Sequence, residues 1–258
     1  MKQVKFFLVA LMAVVMGMSV TSCMNGDDNH NVTMTVPVKY NFGSFLMGDA
    51  TTKLVPTTEL GFLDGNMYII SCQYDQSQVT ANSTSIPVTL LSTPLCIDPK
   101  GNEGLNPQKT EPTNPLFYSL DKQQSSLVYY DKNTIVLTMP YWVKVTNSSV
   151  EDSEVKKHSF VLSYDPEAMT ASDTKLKLYI SHVVEDAGET VTRSNFTYAY
   201  RAYSIRAALA AFKEKTGKLP KYLELSAEIN NSKDELVDKD GKETSVERSV
   251  EYDYAFTE

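Results

Sequence analysis

Val32-Thr33-Met34-Thr35-Val36-Pro37-Val38-Lys39-Tyr40, residues 32–40, places apolar side chains at every second position, with polar residues or proline between them. Successive strand residues point to opposite faces, so this alternation predicts a half-buried β-strand rather than a helix. Pro37 has no N–H to give to a ladder, which puts it at a sheet edge or a bulge. Further strands are predicted at Phe42–Met47, at Met67–Tyr74 after the Asp64-Gly65 turn, and at Ile86–Ser92. About five short strands within about 70 residues fit a small barrel such as an OB-type fold, although a meander has the same composition.

C-terminal to this block, Asp98–Pro115 carries Pro99, Pro107, Pro112 and Pro115 with Gly101 and Gly104, and almost no apolar residues. A structureless loop of that length is uncommon inside one domain, so residues 99–115 read as a linker. Beyond it, Leu127–Tyr130 and Ile135–Val145 flank the hairpin signal Asp131-Lys132-Asn133. Ser159–Tyr164 is a further strand. Leu176, Leu178, Ile180 and His182 then alternate with Lys175, Lys177, Tyr179 and Ser181. An aromatic-rich strand follows at Val191–Tyr203, and others at Leu223–Ile229 and Val246–Phe256. One helix stands out at Ile205–Thr216: Ser204 can cap it, Ile205, Leu209 and Phe212 share a face, and Gly217 with Pro220 ends it. The expected fold is mainly β: an OB-like barrel over 32–98, then an antiparallel β-sandwich over 116–258 with one short helix.

The N-terminus carries a different signal. Lys2 and Lys5 precede an almost wholly apolar run from Phe6 to Met18, and Val20-Thr21-Ser22-Cys23 has the lipobox pattern of bacterial lipoproteins. A membrane-spanning helix is the competing reading. Phe6–Val20 would rise only about 22 Å, against a hydrocarbon core of roughly 30 Å. Residues 1–22 therefore read as a signal peptide and Cys23 as the lipidation site. Residues 23–31 read as a polar tether, whose Asp27-Asp28 pair resembles a surface-export signal of Bacteroidetes lipoproteins. The expected location is the outer membrane, lipid-anchored, at the cell surface or facing the periplasm.

The formal charge of −8 becomes −10 once Lys2 and Lys5 are removed, so no basic stripe is left to neutralise phosphates. Nucleic acid is excluded as a partner, and membrane attachment falls to the acyl anchor. Cys72 and Cys96 sit in an exported compartment where a disulfide persists, while two buried free thiols fit the sequence equally well.

Residues for catalysis are sparse. The histidines are His30, His158 and His182. His182 shares the apolar face of its strand and reads as a hydrogen-bonded core residue; His158, after Lys156-Lys157, reads as exposed. Asp238, Asp240, Gly241 and Glu247 have calcium-loop spacing, but Leu236 occupies the first position and the flanks read as strands. No cofactor, metal site or catalytic residue is assigned. Phe196, Tyr198 and Tyr200 share one strand face, expected to be sandwich core; an exposed stripe would mark a partner site. Trp142 is likewise expected in the core.

Several of these segments together resemble the NigD-like lipoproteins of Bacteroidetes. They are Lys156-Lys157-His158 leading into Phe160, Leu162 and Tyr164-Asp165-Pro166; the Leu176–Asp186 strand with His182; Phe212 followed by Thr216-Gly217-Lys218-Leu219-Pro220; and Asp64-Gly65 before Met67. Where that family tends to an Asn-rich turn after the histidine, this chain has Val183-Val184-Glu185-Asp186. The resemblance implies a lipobox, an N-terminal OB-type domain and a C-terminal β-sandwich. It offers no catalytic or ligand residue to carry over. The implied role is non-enzymatic binding or protection, possible in a bacteriocin-immunity-like form; the alternatives are a surface glycan-binding lipoprotein and a fimbria-associated subunit. The partner is an unidentified protein or glycan.

Overall fold

The computed structural model describes residues 30–48, 52–58, 61–80, 82–97, 105, 107, 109, 114–116, 127–186, 191–230, 245–254 and 256. Residues 1–22, Cys23 and the acidic group Asp238–Gly241 lie outside them. The chain divides into two compact units, one of residues 1–99 with 128–136, the other of 100–127 with 137–258.

The first unit is a closed β-barrel. Its strands are β1 (Asn31–Asn41), β2 (Ser44–Leu46), β3 (Lys53–Pro56), β4 (Met67–Asp75) and β5 (Ser85–Leu90), with β6 (Leu95–Cys96) added outside β4. The order β1-β2-β3-β5-β4 returns to β1 through a run of nine residue pairs with β4 that sets Val36 opposite Ile70 and Pro37 opposite Ile69. β3 and β5 are parallel and the other pairs antiparallel. Pro37 is tolerated because β2 pairs only with residues 39–41 of β1, so the flank of β1 beside Pro37 asks for no donor there. Strand β3 has too short an apolar pattern to stand out in the sequence.

Val36, Val38, Phe45, Leu54, Ile70 and Ile86 fill the barrel at 3% exposure or less. Phe62 closes one end, its ring 5.1 Å from Tyr40, 5.4 Å from Phe45 and 5.0 Å from Tyr68. The β1–β2 turn is made by Phe42 and Gly43, both at positive φ (40° and 79°). Such a turn favours Asn-Gly, and a phenylalanine there is strained. The Asp64 carboxylate accepts the Phe42 N–H at 2.7 Å and braces the turn.

Cys72 and Cys96 remain separate thiols, Cys72 buried and Cys96 exposed. Cys96 lies opposite Tyr68, four residues along β4 from Cys72. That is about 13 Å of strand, roughly twice the reach of a disulfide. The possible Cys72–Cys96 bridge is therefore corrected. Nor are both thiols buried.

Two further sheets follow; of their strands, residues 128–136 fall in the first unit and the rest in the second. β9 (His158–Ser163), β10 (Lys175–Val184), β12 (Tyr222–Asn230) and β13 (Ser245–Asp253) form one, in the order β13-β12-β10-β9. β7 (Leu127–Asp131), β8 (Thr134–Val143) and β11 (Asn195–Ser204) form a three-stranded sheet with β8 central. β8 is buried along most of its length, which explains why Tyr141 and Trp142 are both core residues despite their opposite faces. The β12–β10 pair is parallel and its flanking pairs antiparallel, a mixed sheet where a purely antiparallel one was expected.

Among the described residues, two helices accompany these sheets: the single turn α1 (Asp152–Val155) and α2 (Arg206–Thr216). α2 buries Ala208, Leu209 and Phe212 and ends at Gly217 (φ 75°) as its sequence predicts. Its N-cap is Ile205, without a side-chain hydrogen bond, so Ser204 does not cap it. Among the described residues of 99–115, Leu105 is buried, and Lys109 sits 3.9 Å above the Tyr179 ring and 3.8 Å from Glu247.

Candidate functional site

β9 and β10 run antiparallel with Phe160 opposite His182 and His158 opposite Val184. His158 and His182 are therefore diagonal neighbours on one face, close enough for side chains to touch. His158 Nδ1 lies 2.9 Å from His182 Nε2, and the rings are 16° from parallel. Phe160 stacks on His182 at 4.9 Å, and Tyr141 from β8 meets the rings of His158, Phe160 and His182 at 4.7, 5.1 and 5.8 Å. Arg201 of β11 lies over Phe160 at 5.4 Å.

The pair continues into an ionic network. α1 turns Glu154 inward, and its Oε1 meets three groups: the Lys144 N–H at 2.9 Å, Arg193 Nε at 2.7 Å and His158 Nε2 at 3.2 Å. Arg193 also grips Asp186 through both terminal nitrogens at 2.7 Å, and Lys157 approaches the same carboxylate at 3.4 Å. Two cations thus balance two carboxylates. Glu154, His158, His182 and Arg193 are all 6% exposed or less.

Burial sets the electrostatics. His182 is pushed down to about 3, first by desolvation and then by His158. Desolvation also holds His158 below the usual imidazole range, against the opposing hydrogen bond that it donates to Glu154. Burial favours a protonated Glu154, yet the Lys144 N–H, Arg193 and His158 more than offset it and keep the carboxyl below its usual range. Hydrogen bonds from Arg193 do the same for Asp186. The arrangement holds protons and fixes charges, with Glu154, His158, His182 and Arg193 buried and Asp186 partly exposed. Its atoms clamp α1, β9, β10 and the approach to β11 together.

His182 is the hydrogen-bonded core residue that its strand face predicts. His158 is not exposed: it shares strand parity with Phe160 and Leu162, a signal that outweighs the lysines before it. Glu154, Asp186 and Arg193 carried no sequence signal, because they come from a single turn and two loop edges whose convergence is purely tertiary. Among the described residues, no group of three or more His, Cys, Asp or Glu side chains could hold a metal ion.

Two surface features remain. Phe196 and Tyr198 are 47% and 42% exposed, their rings edge-to-face at 5.9 Å, so the stripe on β11 lies outside the core and the core expectation is corrected. β11 is an edge strand, and its inward positions are filled instead by Ala199 and Tyr203, whose hydroxyl donates to the Phe160 carbonyl. On the barrel, a cleft of about 330 Å³ is lined by Thr58, Phe62, Thr89, Leu90 and Pro94, among others.

No protein-family model and no curated protein matches the chain. Among solved structures it is similar to a protein from Bacteroides fragilis described as a "putative lipoprotein". The TM-score is 0.64 and the identity 27%, over 86% of this chain and 98% of that one. It also shares its fold with an uncharacterized protein from Parabacteroides merdae (TM-score 0.52, 12% identity, 86% and 98% covered). A protein of unknown function from Bacteroides vulgatus matches at TM-score 0.50 and 9% identity, with 86% and 90% covered.

Proposed function

We propose that this chain is a lipid-anchored protein of the bacterial cell envelope that acts by binding or shielding, not by catalysis. The observation that carries the reading is the likeness over 86% of the chain to a protein described as a "putative lipoprotein", joined to the lipobox-like Val20-Thr21-Ser22-Cys23. Among the described residues no helix is long and apolar enough to cross a membrane. The burial of the imidazole–carboxylate cluster supports a non-enzymatic role, and the net charge of −8 argues against nucleic acid as partner. The acidic Asp27-Asp28 pair favours the outer face of the outer membrane, and the NigD-like resemblance favours a protective, immunity-type role.

The test is growth of the producing cell with an alkyne-tagged fatty acid. Wild-type chain is expected to carry the tag and stay with the membrane, and Cys23→Ala to lose both. An untagged wild-type chain overturns the anchor. Surface protease treatment then separates an outward from a periplasmic position.

A second reading, a glycan-binding surface protein, is favoured by the exposed Phe196 and Tyr198 rings. A glycan array with wild type and the Phe196→Ser, Tyr198→Ser double variant decides it. Binding lost in the variant supports it; no wild-type binding removes it.

A further inference from the structure

The parallel pairing of β10 with β12 ends at Ile180 and Ala227. Past that point Asn114 bridges to His182 on β10 and Leu116 to Ile229 on β12, so residues 114–116 form a wedge between two strands that have parted. The Asn114 N–H donates to the His182 carbonyl at 2.6 Å, the Leu116 N–H to Glu228 at 2.8 Å, and the Asn230 N–H to Leu116 at 2.8 Å. Between them, the Pro115 carbonyl faces His182 Nδ1 at 3.4 Å.

Four groups therefore stand in line: the Pro115 carbonyl, His182, His158 and Glu154, separated by 3.4, 2.9 and 3.2 Å. A neutral imidazole has one N–H and one lone pair. Two neutral rings supply two protons for three gaps. Glu154, a carboxylate, only accepts, so it draws the His158 proton to Nε2. His158 Nδ1 then accepts from His182 Nε2–H. The gap left without a proton is the one at Pro115, which is also the longest. One added proton fills it: His158 becomes an imidazolium donating at both nitrogens, and the His182 N–H moves to Nδ1, facing Pro115.

We propose that Glu154, His158 and His182 form a proton-linked clasp, in which uptake of one proton by the histidine pair switches on a hydrogen bond to Pro115 and tightens the Asn114–Leu116 wedge. The groups facing the pair are Glu154 and Lys157 at α1, Tyr141 and the Lys144 N–H at β8, Asp186 at the end of β10, and Arg193 and Arg201 at β11. Because Arg193 and Lys157 already balance the two carboxylates, the added charge is unbalanced, and burial moves the transition below the ordinary imidazole range. Clasp and global stability respond in opposite directions. Acid tightens the wedge, while the unfolded chain, with ordinary histidines, takes up protons first.

Nitrogen-15 NMR of the full chain in detergent, labelled at histidine, reads the tautomers directly, since His30, His158 and His182 give three imidazole signals. At pH 8 both buried rings are expected as Nε2–H. On acidification His158 is expected to gain its second proton while His182 switches to Nδ1–H at the same midpoint. The protection factors of the Leu116 and Asn230 amides, with the intrinsic pH dependence of exchange divided out, then rise about fivefold, the effect of one hydrogen bond. A His182 already Nδ1–H at pH 8, a tautomer unchanged through the titration, or unaltered protection factors at the wedge overturns the clasp. If acid unfolds the chain first, the pH 8 tautomers decide alone.

Discussion

His158 Nδ1 and His182 Nε2 stand 2.9 Å apart in a site where neither ring is more than 5% exposed, so at most one of the facing nitrogens carries a proton. Two imidazoles in such contact cannot both be charged without a large cost. Their shared proton makes this part of the sandwich sensitive to acid.

The sign of that sensitivity follows from linkage. His182 is near 6.5 unfolded and about 3 folded, so its neutral form stabilises the fold above pH 6.5. As pH falls below 6.5 the unfolded chain protonates residue 182 while the folded chain keeps that ring neutral, so stability is lost. Urea unfolding at pH 7.5 and pH 5 is expected to show lower stability at pH 5. His182→Gln is expected to flatten the slope between them, and an unchanged slope in that variant refutes the assignment.

Arg193 neutralises Glu154 and Asp186 inside the protein. Arg193→Ala leaves the buried Glu154 without a cation and Asp186 with Lys157 alone, and is expected to cost about 3–5 kcal/mol. Arg193→Lys, which cannot reproduce the two-nitrogen grip on Asp186, is expected to recover only part of it. Thermal melts of both variants beside wild type rank the effects; an alanine variant as stable as wild type contradicts the network's role.

Gly48 has φ +44°, and a Cβ there would stand 1.8 Å from the Tyr130 carbonyl oxygen. Gly48→Ala is expected to destabilise the first unit by more than about 3 kcal/mol. Gly61→Ala, with open space around its Cβ, is the control and is expected to be nearly neutral. Equal melting temperatures for the two variants would contradict the close approach.

Phe42 is 83% exposed and held at φ +40°. Replacing it with Asn, which tolerates that backbone, is expected to raise stability by about 1 kcal/mol. Denaturant midpoints measure this directly. A loss of stability would mean that the Phe42 ring contributes packing that its exposure does not suggest.

Thiol labelling distinguishes the two cysteines. Cys72 is fully buried and its thiol is pushed up to about 12 by desolvation, whereas Cys96 is exposed. Maleimide on the native chain, followed by peptide mapping, is expected to mark Cys96 and leave Cys72 until denaturant is added. Protection of both without reductant would restore the disulfide.

The sequence alone determined most of the strands, because alternation is a local property: Val32–Tyr40, Leu176–His182 and Leu223–Ile229 each announce their inward face. The α2 terminus was equally local, since Gly217 supplies the left-handed residue that ends the helix. Strand partnership was not local. Nothing in Lys53–Pro56 says that it lies parallel to β5, nor does anything in Leu223–Ile229 say that it runs parallel to β10. Burial of His158 was half-legible, through its parity with Phe160, but charged neighbours obscured it. The exposure of Phe196 and Tyr198 depended on β11 being an edge strand, a matter of sheet order. Glu154, Asp186, Arg193 and Pro115 meet the histidines only because α1, two loop edges and the 114–116 wedge converge in space. Side-chain periodicity records which face of an element is apolar; it carries no record of which distant charge will be brought to that face.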